Sequence, residues 1–199
     1  MIDLRQNSGG NDDMVVFLAS YFIDSVEPIV FNISYSTIDS VYYTSMMPSY
    51  IPGTKLTDIP IYILTSGATA SAAEAFLNIL INYNQNVVVV GKKTRGAENP
   101  VNHVVVGNEY ILRIPSWRNI YSSLKTKWEG TGISPHLDIE EDCALVMAHL
   151  IALEKLIEIT LDKDELSYLH WAYDGIKALN DPISVDNDIL KSYVGNYGG

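Results

Sequence analysis

Apolar and polar positions alternate in short blocks along the chain. Ile2 to Arg5 reads as the end of a buried strand, followed by a polar loop, Gln6-Asn7-Ser8-Gly9-Gly10. Asn11-Asp12-Asp13 then offers a helix cap and first-turn acids, which suit the positive end of a helix. The helix body is predicted over Met14 to Ile23, ended by Pro28, with a strand at Ile29 to Ile33. Residues 34–58, rich in Tyr, Ser, Thr and Pro, show no sustained period and read as a long excursion with one irregular strand.

Ile59 to Leu64 is a short apolar strand, and Ser71 to about Tyr83 is a helix with Ala75, Phe76, Ile79 and Leu80 on one side. Val87 to Val90 is a continuous apolar run, as in a strand covered on both faces. Strand, helix and strand in succession signal a parallel crossover unit. Val101 to Val106 and Tyr110 to Ile114, joined at Gly107-Asn108, read as a β-hairpin. A loop rich in Ser, Lys and Trp is expected from there to Gly132-Ile133-Ser134-Pro135. Helices follow from Glu140 to about Ile159 and from Asp164 to about Asn180, and the remainder has loop composition around one short helical turn. The fold class is α/β: a mixed sheet with a βαβ crossover and C-terminal helices. Residues 1–160 are expected to form one domain, and 161–199 a helical extension with the start of an appended segment.

With 47% hydrophobic residues among 199, the chain can bury a real core. Its 24 acidic and 13 basic residues give a net charge of −11, which disfavours nucleic acid or an anionic membrane as partner. No apolar run approaches the roughly 20 residues of a membrane span. The single Cys143 forms no internal disulfide and no metal cluster, and no cofactor or metal is indicated. Because the chain enters directly at a strand end, sequence upstream is expected to be missing. The severed edge should expose apolar surface that could be buried by a second copy, so a homodimer is considered.

Three segments can carry chemistry. Ser71 stands where a strand-exit loop meets a helix, beside free N–H groups that favour an oxyanion. It could equally be a plain N-cap, with Glu74 completing a capping box, and capping serines are far the commoner kind. Asn7-Ser8-Gly9-Gly10 could present N–H groups as an anion nest or be a tight turn. Trp128-Glu129-Gly130-Thr131-Gly132 holds a carboxylate among glycines, either to orient an imidazole or as a surface acid.

Taken together and in order, four blocks resemble those of the tail-specific (C-terminal processing) serine peptidases. They are Asp3-Leu4-Arg5-Gln6-Asn7-Ser8-Gly9-Gly10, Thr69-Ala70-Ser71-Ala72-Ala73-Glu74, Val90-Gly91-Lys92-Lys93-Thr94-Arg95-Gly96-Ala97 and the Trp-Glu-Gly segment. The resemblance runs from residue 2 to about 150 and is closest to the branch of the interphotoreceptor retinoid-binding proteins and the tricorn core. It implies a ClpP/crotonase-like core, Ser71 as nucleophile, and an oxyanion hole from the N–H of Ala72 and of Gly9 or Gly10. The lysine of the better-known Ser–Lys branch is here Ala97, and Lys92 and Lys93 fall too early to replace it. The tricorn-like Ser–His–Glu pattern instead puts Glu129 beside an imidazole from upstream.

The four histidines have plain readings: His149 and His170 in helical patterns, His136 where the family has Asp, and His103 in a strand. The expected function is a serine endopeptidase acting on peptides or unfolded protein tails, its general base upstream, so that these residues alone are nearly inactive. The alternative is a non-catalytic binding protein for retinoid- or lipid-like ligands; a purely interacting scaffold ranks below both. The resemblance also suggests export. Tyr35 to Tyr50, with Met46-Met47, could line a groove or, more commonly, pack on the core. Leu190 to Tyr197 looks like the opening of a small β domain.

Overall fold

A computed structural model of the chain describes residues 1–124, 127–182 and 184–195. They fall into two compact units, Met1–Ala148 and the stretch from His149 onward.

At the centre of the first unit is a four-stranded sheet, in the order β1 (Ile2–Asp3), β4 (Ile61–Thr65), β5 (Val87–Gly91) and β9 (Leu137–Asp138). Each neighbouring pair is parallel, with Ile2 opposite Ile63, Ile63 opposite Val89, and Val90 opposite Leu137. Every residue of β4 is buried, which is why its sequence runs apolar without alternation. Between β4 and β5 the chain crosses over through α2 (Ala72–Tyr83), whose Phe76, Leu77, Ile79 and Leu80 enter the core. α1 (Asp12–Ala19) starts at Asn11, whose side chain accepts from Met14 N, and packs on α2. It tightens into a 3₁₀ turn at Ser20–Phe22, and Phe22 meets Phe76 edge-on.

The α/β reading holds. Parallel pairing is confined to the central sheet, and the antiparallel pairs lie in two smaller sheets. One has the order β3 (Tyr42–Met46), β2 (Val30–Ser36), β8 (Trp117–Ser122). The other is the expected hairpin of β6 (Val101–Val106) and β7 (Tyr110–Pro115). Strand β8 corrects the expected loop: Trp-Arg-Asn-Ile-Tyr-Ser lacks a clean alternation, and its partner β2 lies far away in sequence. Register irregularities on both sides of β2 weaken the local pattern further. β9, at two residues, is too short to leave a periodic signal.

The second unit holds the later part of α3 (Glu141–Ile159), α4 (Lys163–Asn180) and α5 (Asn187–Ser192). Asp162 caps α4 by accepting from Asp164 N and Glu165 N, and Tyr173 donates to Glu154 Oε1 at 2.8 Å. Leu190 to Ser192, expected to open a β segment, is helical; Asn196 and Tyr197 lie outside the described residues. No helix among the described residues is long and apolar enough to cross a membrane.

Candidate active site

The C-terminal ends of β1, β4 and β5 each exit into a loop, and hydrogen bonds stitch the three loops together. Thr69 Oγ1 donates to Leu4 O (2.8 Å), Ser66 Oγ to Arg5 O (2.5 Å), and Ala70 N to Asn7 O (3.1 Å). From the β5 side, Arg95 N donates to Thr69 O at 3.0 Å. Residues 66–70, which lead to Ser71, are thus held against both neighbours.

Ser71 is the N-cap of α2, yet its backbone is at φ 55, ψ −125. An ordinary N-cap is extended, and a non-glycine residue at this φ carries strain of about 1–3 kcal/mol. The side chain is exposed, at the head of a helix whose N1 residue, Ala72, has an N–H with no acceptor inside the helix. Gly9, at φ +114, lies directly behind: a Cβ there would come within 2.8 Å of Ser71 Cβ and 3.1 Å of Ala72 N. Only glycine allows the loop this close. Gly9 N donates to Asn7 Oδ1 at 3.0 Å, and Gly10 lines the same cleft as Ser71.

Sequence reasoning saw Glu74 only as the third residue of a capping box. It is fully buried (0% exposed), and its carboxylate accepts four hydrogen bonds. Oε2 takes Ser71 N (2.9 Å) and Ala97 N (2.8 Å), and Oε1 takes Thr94 Oγ1 (2.5 Å) and Gly96 N (2.7 Å). A buried charge is tolerable only when so completely bonded. Glu74 therefore locks the serine turn to the loop after β5. The Thr94-Arg95-Gly96-Ala97 block was the available signal, but nothing local ties it to position 74.

Glu129 is exposed, and its Oε2 accepts from Glu98 N (2.7 Å) and Asn99 N (2.9 Å). Glu98 returns the arrangement, its Oε2 accepting from Trp128 N (2.9 Å) and Glu129 N (3.1 Å). The two carboxylates clasp the loop after β5 to the Trp-Glu-Gly segment, a pairing with no local sequence mark. Lys92 is engaged elsewhere, with Nζ 2.6 Å from Glu140 and 3.1 Å from Asp138; Glu140 above all raises its pKa. His136 Nδ1 accepts from Val89 N at 2.9 Å and so extends the pairing of β5. His149 and His170 lie on α3 and α4, as the helical patterns implied.

Ser71 opens onto a cleft of about 570 Å³ whose wall includes Gly10, Asp12, Asp13, Glu98, His103 and Trp128. Tyr43 and Ser45 of β3 line it too, whereas Met47 is buried in the core, so the Tyr35 to Tyr50 stretch serves both expected ends. Behind the Gly9-Gly10 loop a separate groove of about 360 Å³ is walled by Met14, Leu18, Phe22 and Phe76. Among the described residues no group of three or more His, Cys, Asp or Glu is placed to hold a metal ion.

This geometry sits inside a recognised family. A model of the peptidase family S41 matches residues 1–139. The chain belongs to that family. Among solved structures, the S41 chain is similar to a Bacteroides fragilis protein assigned to the S41 proteases. Identity is 22% and the TM-score 0.56, over 90% of this chain and 44% of that one. It is similar to a Streptococcus agalactiae lipoprotein at 20% identity and TM-score 0.52, over 77% of this chain and 53% of that one. It is also similar to mature CPAF complexed with lactacystin, at 14% identity and TM-score 0.55, over 78% and 42%. At these identities the likeness concerns the fold. The chain spans about half the length of these solved relatives, or less. None of the three is described as a retinoid-binding or tricorn protein, so that narrower resemblance rests on the sequence blocks alone.

Proposed function

We propose that the chain supplies the nucleophile, oxyanion hole and orienting acid of a serine endopeptidase that cleaves peptides or unfolded protein segments. The observation that carries this reading is Ser71 itself: an exposed serine, held at φ 55 at a helix head, with glycine backbone packed behind it. Membership of S41 supports it. Ser71 Oγ attacks the scissile carbonyl carbon, its proton passes to an imidazole, and the carbonyl oxygen becomes the oxyanion. Ala72 N–H and Gly10 N–H bind that oxygen; Gly9 N–H is already committed to Asn7. Collapse expels the amine with the imidazole proton, and water then releases the acyl group by the same steps in reverse.

Glu129 Oε1 is the atom that would hold the imidazole, because Oε2 is taken up by the backbone of Glu98 and Asn99. The imidazole comes from the part of the protein outside these 199 residues, so the chain alone is nearly inactive. The experiment is labelling with a fluorophosphonate probe, on the chain and on a longer protein with upstream sequence restored. Labelling that needs the longer protein and vanishes in Ser71→Ala supports the scheme. Its persistence in Ser71→Ala refutes the nucleophile; its loss in His103→Ala of the short chain would put the base in the Ser71 cleft.

One observation favours a second reading. The apolar groove walled by Met14, Leu18, Phe22 and Phe76 suits a lipid-like ligand, and binding there without Ser71-dependent labelling would support a carrier on the same scaffold.

A further inference from the structure

Resting on the reading of Ser71 as nucleophile, we infer that its cleft selects peptides that carry a lysine or arginine side chain. Among the described residues, the charged ones lining the cleft are Asp12, Asp13 and Glu98, the remaining titratable walls are His103 and Tyr43, and no lysine or arginine contributes. These acids come from separate elements, the head of α1 and the loop after β5, so the negative field belongs to the cleft rather than to one helix. Water-poor walls focus such a field and raise the local concentration of a cation.

First-turn acids have a simpler explanation, complementing the α1 dipole. That alone would hold the pKa of Asp12 down. Asp12 is instead raised, first by burial and then by the neighbouring Asp13 charge. Asp13 accepts the hydroxyl of Tyr43, which reaches over from β3. Trp117 of β8 meets the Tyr43 ring edge-on with centroids 6.4 Å apart, so two aromatic rings line the same cleft as the carboxylates. Carboxylates beside aromatic rings suit an ammonium or guanidinium group, which relieves the repulsion between Asp12 and Asp13 and rests on the ring faces.

A peptide rather than a free cation is the expected occupant, because the Ser71 hydroxyl opens onto the same cleft as the acids. The cleft thus offers a hydroxyl at one point and negative charge beside it, with Trp128, 6% exposed, packed along its wall.

Binding is measured by fluorescence anisotropy on the full chain carrying Ser71→Ala, so turnover plays no part. Two labelled peptides of Ala and Leu are compared, one with a central Lys and one with Glu in its place. The Lys peptide is expected to bind about tenfold tighter or more, and the preference to shrink as salt rises. Asp12→Asn with Asp13→Asn should weaken the Lys peptide roughly three- to thirtyfold and leave the Glu peptide no weaker. Circular dichroism checks that the double variant stays folded. Glu98→Gln, whose amide oxygen can still accept from Trp128 N and Glu129 N, should weaken the Lys peptide independently. Equal affinities, a Glu preference, no binding of either peptide, or a Lys preference untouched by all three substitutions overturns the inference. Failure of the nucleophile reading shows up separately, as absence of Ser71-dependent probe labelling.

Discussion

Glu74→Gln keeps the shape of the buried side chain and replaces one of its two acceptors with a donor. If the amide nitrogen takes the place of Oε2, both Ser71 N–H and Ala97 N–H face an N–H₂ group. If it takes the place of Oε1, Gly96 N–H is left unpaired, and the Thr94 hydroxyl can accept from the amide only by turning its own O–H away from the acceptor it had. Either arrangement leaves at least one buried donor unsatisfied, at about 1–3 kcal/mol, and weakens the remaining bonds, which lose their charged acceptor. Easier burial of a neutral amide offsets part of this. A net loss of about 2–4 kcal/mol is expected, a large share of the roughly 5–15 kcal/mol that holds a domain folded. In urea, with a slope of about 1–3 kcal/mol per molar, the midpoint should fall by about 1 M or more. Thr94→Val should cost about 1–3 kcal/mol by the same logic, because Thr94 Oγ1 also accepts from Ile133 N at 2.7 Å. The two substitutions share a bond, so the double variant should lose less than their sum. A Glu74→Gln protein within about 0.5 kcal/mol of the parent, within the scatter of ordinary surface changes, would refute the hub.

Other consequences are open to measurement. Gly9→Ala forces a methyl to within 2.8 Å of Ser71 Cβ at a φ that alanine avoids, so Ser71-dependent labelling should fall about 100-fold or more. Unchanged labelling would place the oxyanion donors elsewhere. His136→Leu removes the acceptor of Val89 N, whose residue is fully buried, and should destabilise by about 1–3 kcal/mol in urea titration. Its hydrogen bond to Arg5 holds Asp3 below its ordinary value of 3.8. A depressed folded pKa means this contribution is complete above about pH 4 and is lost as pH falls through the depressed value. Asp3→Asn should therefore be the less stable protein at neutral pH and draw level with the parent in acid. A gap in melting temperature that stays constant down to pH 2 would contradict the pairing.

What could be read without a structure was local. The all-apolar runs of β4 and β5, the turn between β6 and β7, and the Asn11 cap each lie within a few consecutive residues. Hydrophobic period, turn chemistry and capping act over that range, so the α/β class, the crossover helix beginning at Ser71 and the glycine loop beside it were all legible. Family membership followed from the order of the blocks.

Tertiary structure decided everything that depends on two distant segments meeting. Sequence places Ser71 at the start of a helix in either role; only the packing of Gly9 behind it accompanies a backbone at φ 55. Glu74 does form the capping box with Ser71 that the sequence suggests, but Thr94, Gly96 and Ala97, brought around it from afar, also bury and bond its carboxylate. Strand β8 exists because β2 offers a ladder, not because its own residues alternate. In each case the cause is a contact between residues remote in sequence, where burial and the need to pair buried polar groups outweigh any local preference.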